Sequence, residues 1–228
     1  IRCLINKNFP DYVRKRKSSI AGLPGFWIDK GGKIQIGIEK DYFCPVMVIP
    51  YLDVNGFVRA CQIRFMRRSA FKSNNKYAWL STPDKNSGLS CGSPLHFPRN
   101  FKDNYLLNKP ILVTEGALKA QTIQTLYPEA DVIANGGVTC SHSEIIKNSR
   151  FRPLYIGFDA DYRHNQCVAR AFANLIQLRI IDAEKYGYLA QVKILNWSPN
   201  IKGLDDALLG KLSITFLTVQ EWFDSLDE

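Results

Sequence analysis

The sequence predicts an α/β protein: a parallel sheet flanked by helices, preceded by a smaller, β-rich and basic subdomain. Three observations carry this prediction. From about residue 109, short apolar runs alternate with helical segments, as buried parallel strands alternate with their crossover helices. Before that point, two β-rich runs flank an Asn55-Gly56 pair, the composition of a hairpin turn. The charge is also uneven: residues 1–80 hold fifteen Lys and Arg against five Asp and Glu, whereas 81–228 hold fifteen against sixteen. The expected division is therefore a basic, nucleic-acid-binding subdomain over 1–108 and an α/β domain over 109–228.

Taken in order, residues 1–25 carry the run Arg14-Lys15-Arg16-Lys17 and then Gly22, Pro24 and Gly25, which reads as a helix end or arm leading into a loop. Pro45–Leu52 (PVMVIPYL) and Phe57–Phe65 (FVRACQIRF) form the two strands of the hairpin. Side chains alternate along a strand, so Arg59 and Arg64 fall on opposite faces. The stretch 81–100 is rich in Ser, Gly, Pro and Asn and reads as loop. Ile111–Thr114 is a strand closed by Glu115-Gly116, and a helix follows over Ala117–Leu126. Asp131–Ala134 is a second strand, ending in Asn135-Gly136-Gly137, and a short polar helix covers 143–148. Leu154–Phe158 runs into Asp159-Ala160-Asp161. A long helix over 165–186 places Val168, Ala171, Phe172, Leu175, Ile176 and Leu178 at helical spacing. Leu189–Leu195 makes a fourth strand, and an amphipathic helix over 213–226 closes the domain with Trp222 and Phe223.

With 228 residues, 46% of them hydrophobic, the chain can build a substantial core and is not a disordered polymer. It has no apolar run of eighteen residues, so no membrane partner is expected and the expected location is cytoplasmic. The six cysteines (Cys3, Cys44, Cys61, Cys91, Cys140, Cys167) include no C-x-x-C pair, which excludes a zinc ribbon and points to reduced, mostly buried thiols. The absence of a P-loop excludes a built-in ATPase of the usual helicase type. A basic lobe beside a neutral one that contains clustered acids suits a polyanion gripped on one side and processed on the other.

Those acids are the chemical centre of the sequence. Ligands of open parallel sheets bind at the carboxyl ends of strands, where Glu115 follows one strand and Asp159 and Asp161 follow another. If the strands are neighbours, three carboxylates meet at one edge. Asp159 and Asp161 stand at i and i+2, so in an extended segment their side chains point the same way. Hard oxygen ligands of this kind suit Mg²⁺ or Mn²⁺. Taken singly, an acid after a strand is more often a helix cap or a solvated turn residue. The combination of strand-Glu-Gly-helix, a strand ending in Gly-Gly and strand-Asp-x-Asp-helix argues against that for the set.

Ile111–Ala120 (ILVTEGALKA) and Leu154–Asp161 (LYIGFDAD) resemble the two motifs of the Toprim domain of bacterial primases, topoisomerases and several nucleases. Within that superfamily the resemblance is closest to primase-type members. Pro45–Phe65 and Lys76–Ser81 (KYAWLS) resemble the segments that precede Toprim in replicative primases. Lys202–Leu209 (KGLDDALL) resembles their later acidic motif, usually Lys-Asp-Pro-Asp. More specifically, the chain resembles a domain-of-unknown-function family with a Toprim-like core, found in replication proteins of plasmids, phages and mobile elements. Two departures stand out. Lys119 occupies the position where primases usually carry a further acid, and Leu204 and Asp205-Asp206 replace Asp-Pro-Asp.

The resemblance implies a metal-dependent nucleotidyltransferase of DNA replication, working on a single-stranded DNA template and nucleotides, with a replicative helicase in the same or another chain. Glu115 would be its general acid or base. Asp159 and Asp161 would hold Mg²⁺ or Mn²⁺, and Asp205 and Asp206 a second metal or a nucleotide. Arg59, Arg64, Arg67, Arg68, Lys72, Lys76 and Lys202 would contact phosphates, with Tyr77 and Trp79 available for base stacking. The alternatives are a Toprim nuclease using the same acids, and a non-catalytic nucleic-acid-binding module in which they are vestigial.

Overall fold

The computed structural model describes residues 23–37, 45–66, 76–99, 101 and 109–226. They fall into two compact units that divide between Pro94 and Leu95. Leu95 and Phe97 belong with the second unit because they pack into its core, and His96 bridges Ala134 there.

The first unit is antiparallel β. Strands β1 (Phe26–Ile28) and β2 (Ile34–Ile36) pair as one hairpin. Strands β3 (Val46–Leu52), β4 (Val58–Phe65) and β5 (Tyr77–Trp79) form a three-stranded sheet in that order. The predicted turn closes β3 onto β4: Asp53 N–H donates to Phe57 O at 2.8 Å, and Asp53 Oδ1 accepts from the backbone of Asn55 and Phe57 at 2.9 Å each. Among the described residues β3 lies at the sheet's edge and pairs only with β4, so Pro50 is tolerated there. Leu23, Phe26, Leu52, Val58, Ile63, Phe65 and Leu80 fill the core of this unit.

The second unit is a five-stranded sheet in the order β10-β9-β8-β6-β7. Strands β6 (Ile111–Glu115), β7 (Asp131–Asn135), β8 (Leu154–Ile156) and β9 (Val192–Asn196) are parallel, and β10 (Thr215–Leu217) runs antiparallel to β9. Alternation along the strands builds two apolar layers. On one face Ile111, Val113, Ile133, Ile156 and Ile194 meet α2 (His142–Ser149), α3 (Gln166–Tyr186) and α5 (Val219–Asp224), with Phe172 stacked on Trp222. On the other, Leu112, Val132, Ala134 and Leu195 meet α1 (Ala117–Leu126) and α4 (Leu204–Leu209). The long helix begins at Asn165, whose side chain caps Cys167 N, and ends at left-handed Gly187.

Several expectations are corrected. The segment 213–226 is not one helix: Thr215–Leu217 adds to the exposed edge of β9, and only Val219–Asp224 is helical, started by a Thr218/Glu221 capping box. Backbone pairing with β9 outweighs the helical pattern of that stretch. Leu178 points to solvent, unlike the other five apolar positions named on the long helix. The four described cysteines are free, as expected, but Cys61, Cys91 and Cys140 are half-buried and Cys167 is exposed. Arg14–Lys17, Arg67, Arg68, Lys72, Cys3 and Cys44 lie outside the described residues. Among the described residues, no helix is long and apolar enough to cross a membrane.

Candidate functional site

Strands β6 and β8 are adjacent and in parallel register, Ile111 opposite Leu154 and Val113 opposite Ile156. Their carboxyl ends therefore lie side by side, with Glu115 as the last residue of β6. Gly116 follows with φ of +90° and open space around the position of a β-carbon. This is a left-handed conformation that glycine adopts without strain, and it turns the chain directly into α1.

Beyond β8, Asp159 keeps extended angles, but Ala160–Arg163 winds into a 3₁₀ turn rather than continuing as a strand. The two aspartates nevertheless reach one point. Lys202 Nζ lies 2.9 Å from Asp161 Oδ2 and 3.6 Å from Asp159 Oδ2. A backbone bond from Ala160 N to Lys202 O at 2.9 Å carries Lys202 there, and Trp197 Nε1 steadies the loop by donating to Ile201 O at 2.8 Å.

Lys119 was foreseen only as a departure from the expected acid, and it proves central. It stands one turn into α1, and its ammonium donates to Asp159 Oδ1. The sequence contained the sign: a residue four beyond Glu115, on a helix leaving the strand end, points back over that end. Lys119 Nζ also lies 3.4 Å from where a β-carbon on Gly203 would sit, and Asp205 Oδ1 crowds the same position. Glycine at 203 thus leaves room for α1's lysine and α4's acid to approach each other.

The electrostatics match this crowding. Burial, and after it the charge of Asp159, pushes the Glu115 carboxyl above its ordinary range, with Lys119 and Lys202 acting in opposition. Burial likewise raises Asp205. The bond to Asp161 raises Lys202 and holds it charged. Asp206 is exposed in the first turn of α4 and touches the site only through its charge on Asp205.

The donors have the chemistry that Mg²⁺ or Mn²⁺ requires. Among the described residues, Asp161 Oδ1, Asp205 Oδ1 and Asn135 Oδ1 are buried oxygens with no hydrogen-bond partner, and Asn135 stands in register beside Glu115. Their arrangement is not that of a formed metal centre. Among the described residues, no three His, Cys, Asp or Glu side chains converge closely enough to hold an ion, and a lysine ammonium takes the Asp159 position.

In the first unit, Arg64 and Tyr77 are opposite each other in register, and the Arg64 and Lys76 cations lie 5.9 and 5.6 Å from the Tyr77 ring. Tyr77 is 39% exposed. Trp79 instead packs edge-on against buried Tyr51 with centroids 4.6 Å apart, so it belongs to the packing. Arg59 is exposed near the hairpin turn, away from that group.

No protein-family model matches the chain, and no curated protein sequence is significantly similar to it. Solved structures do match. A DNA primase domain from Pseudomonas aeruginosa aligns over 99% of this chain at 15% identity with a TM-score of 0.55. The RNA polymerase domain of Mycobacterium tuberculosis primase DnaG, in complex with double-stranded DNA, aligns over 93% at 15% identity and 0.55. A DnaG primase catalytic domain bound to single-stranded DNA aligns over 95% at 13% identity and 0.52. The chain spans 62%, 65% and 64% of those three chains. The fold is that of primase catalytic domains: a mostly parallel sheet between helices with a smaller antiparallel β unit.

Proposed function

We propose that this chain is the catalytic core of a primase-like nucleotidyltransferase acting in DNA replication of a mobile element. The observation that supports it best is the meeting of Glu115, Asp159, Asp161 and Lys202 at the carboxyl ends of adjacent parallel strands, in a fold otherwise seen in primase catalytic domains. Glu115, whose burial raises its carboxyl above the ordinary range, exchanges a proton with the attacking 3′-hydroxyl or the leaving oxygen. Mg²⁺ or Mn²⁺, when bound, would neutralise charge on the transferred phosphate. Asp161 and Asp159 would be its holders, with Asp205 and Asp206 serving a second ion or the nucleotide. Lys202 orients the aspartate pair and meets the phosphate chain. The basic residues of 1–108, Arg59, Arg64, Arg67, Arg68, Lys72 and Lys76, track the template backbone, and Tyr77 stacks on a base. Duplex opening belongs to a replicative helicase, in the same or another chain.

The test is oligonucleotide synthesis from NTPs or dNTPs on single-stranded templates with Mg²⁺ or Mn²⁺. Failure of the full-length protein to incorporate nucleotides on any template sinks the proposal. Metal-dependent DNA cleavage that Glu115→Ala abolishes would instead identify a nuclease. An Asp159→Asn protein with full biological function would identify a non-catalytic binding module.

A further inference from the structure

Three oxygens of the aspartate pair already have cationic neighbours. Lys119 Nζ donates to Asp159 Oδ1, while Lys202 Nζ lies 3.6 Å from Asp159 Oδ2 and 2.9 Å from Asp161 Oδ2. The two lysines are not equivalent. Lys202 is 66% exposed and sits on a loop, so it can swing into water; Lys119 is 28% exposed and stands on a helix. Asp159, at 9%, is the most enclosed partner. An ammonium that donates to a carboxylate oxygen competes with a divalent cation for it, because the two cations repel at such short range.

On the reading of the acids as a metal site, which this inference rests on, we propose that Lys119 is a resident counterion that a divalent cation must displace from Asp159. The displaced ammonium is not stranded. It already lies near Gly203, as does the buried Asp205 Oδ1, which has no hydrogen-bond partner among the described residues. While no second ion holds Asp205, the exchange of one acceptor for the other costs less than moving into an apolar space. The hard-oxygen donors and the lysine that sits on Asp159 are both accounted for by such an exchange. Metal affinity is therefore weak and rises when the competing charge is removed.

The experiment is a Mn²⁺ titration of the full chain, with free aqueous Mn²⁺ read by electron paramagnetic resonance. Lys119→Met, which keeps side-chain length and removes the charge, binds Mn²⁺ about tenfold more tightly than wild type, as expected for one half-buried ion pair lost from the competition. Lys119→Arg stays near wild type, and Lys202→Met tightens binding less than Lys119→Met. Equal or weaker binding by Lys119→Met overturns the proposal, as does an equal gain in Lys202→Met, which would report bulk charge alone. Lysine side-chain NMR on the wild-type chain needs no variant: added Mg²⁺ moves the Lys119 ammonium resonance, and an unmoved resonance at saturation overturns the exchange. If no protein binds Mn²⁺ into the millimolar range, the metal reading itself falls, which is distinct from equal binding by wild type and variant.

Discussion

Asp159→Asn separates a chemical role from a structural one. The substitution keeps the shape of the side chain and removes its charge. Asp159 is 9% exposed, but its partners Lys119 and Lys202 are 28% and 66% exposed and can turn to water. Ion pairs with such solvent-reachable partners contribute about 0–1 kcal/mol each, so stability should fall by no more than about 2 kcal/mol. Losing a carboxylate that holds the metal against the reacting phosphate costs about 10²–10⁴ in rate, roughly 3–5 kcal/mol of transition-state stabilisation. The assay is labelled-nucleotide incorporation on single-stranded DNA, set beside urea unfolding of the same preparation. A folded Asp159→Asn protein with activity within about threefold of wild type refutes the assignment. A stability loss above about 4 kcal/mol would show that the residue acts through the fold instead.

At the opposite end of the sheet, Asp131 and Arg152 form a pair whose side chains are 3% and 2% exposed. Asp131→Ala leaves that guanidinium buried without its carboxylate and should cost about 3–5 kcal/mol in urea unfolding; a loss below about 1 kcal/mol would contradict this. Burial raises the Glu115 pKa, so the folded state favours the protonated acid. Glu115→Gln and wild type should therefore be equally stable below the acid's unfolded-state pKa. The variant should gain as pH rises through that value, with its advantage complete above the folded-state pKa, and thermal unfolding across that range checks the sign. Single-stranded DNA binding should weaken with salt at a log–log slope of about −0.7 per phosphate contacted. Charge reversal at Arg64, or at Arg67 and Arg68, should flatten that slope, and an unchanged slope would mean the basic residues serve solubility.

Local pattern made much of this molecule legible. The Asp53–Gly56 turn, the buried strands at 111–115, 131–135 and 154–156 and the long helix all follow from composition and period over a few residues, where side-chain chemistry and backbone geometry are set by near neighbours. The closing segment was misread because its Thr215–Leu217 part is strand only by virtue of the open edge of β9, and an edge has no local signature.

The sequence by itself determined the fold class and which acids stand at strand ends, because the alternation of strands and helices and the residues that close them are written in consecutive positions. Only the tertiary structure decided that β6 and β8 are neighbours, and that Lys119 and Lys202 converge on Asp159 from positions forty and more residues away. Such ion pairs form where strand order and helix packing bring charges together; the spacing of Lys119 from Glu115 sets it over the strand end, but no spacing along the chain says which acid it meets there. The aspartates and Lys202 stand out in the sequence; that Lys119 and Lys202 pair with those aspartates is decided only in three dimensions.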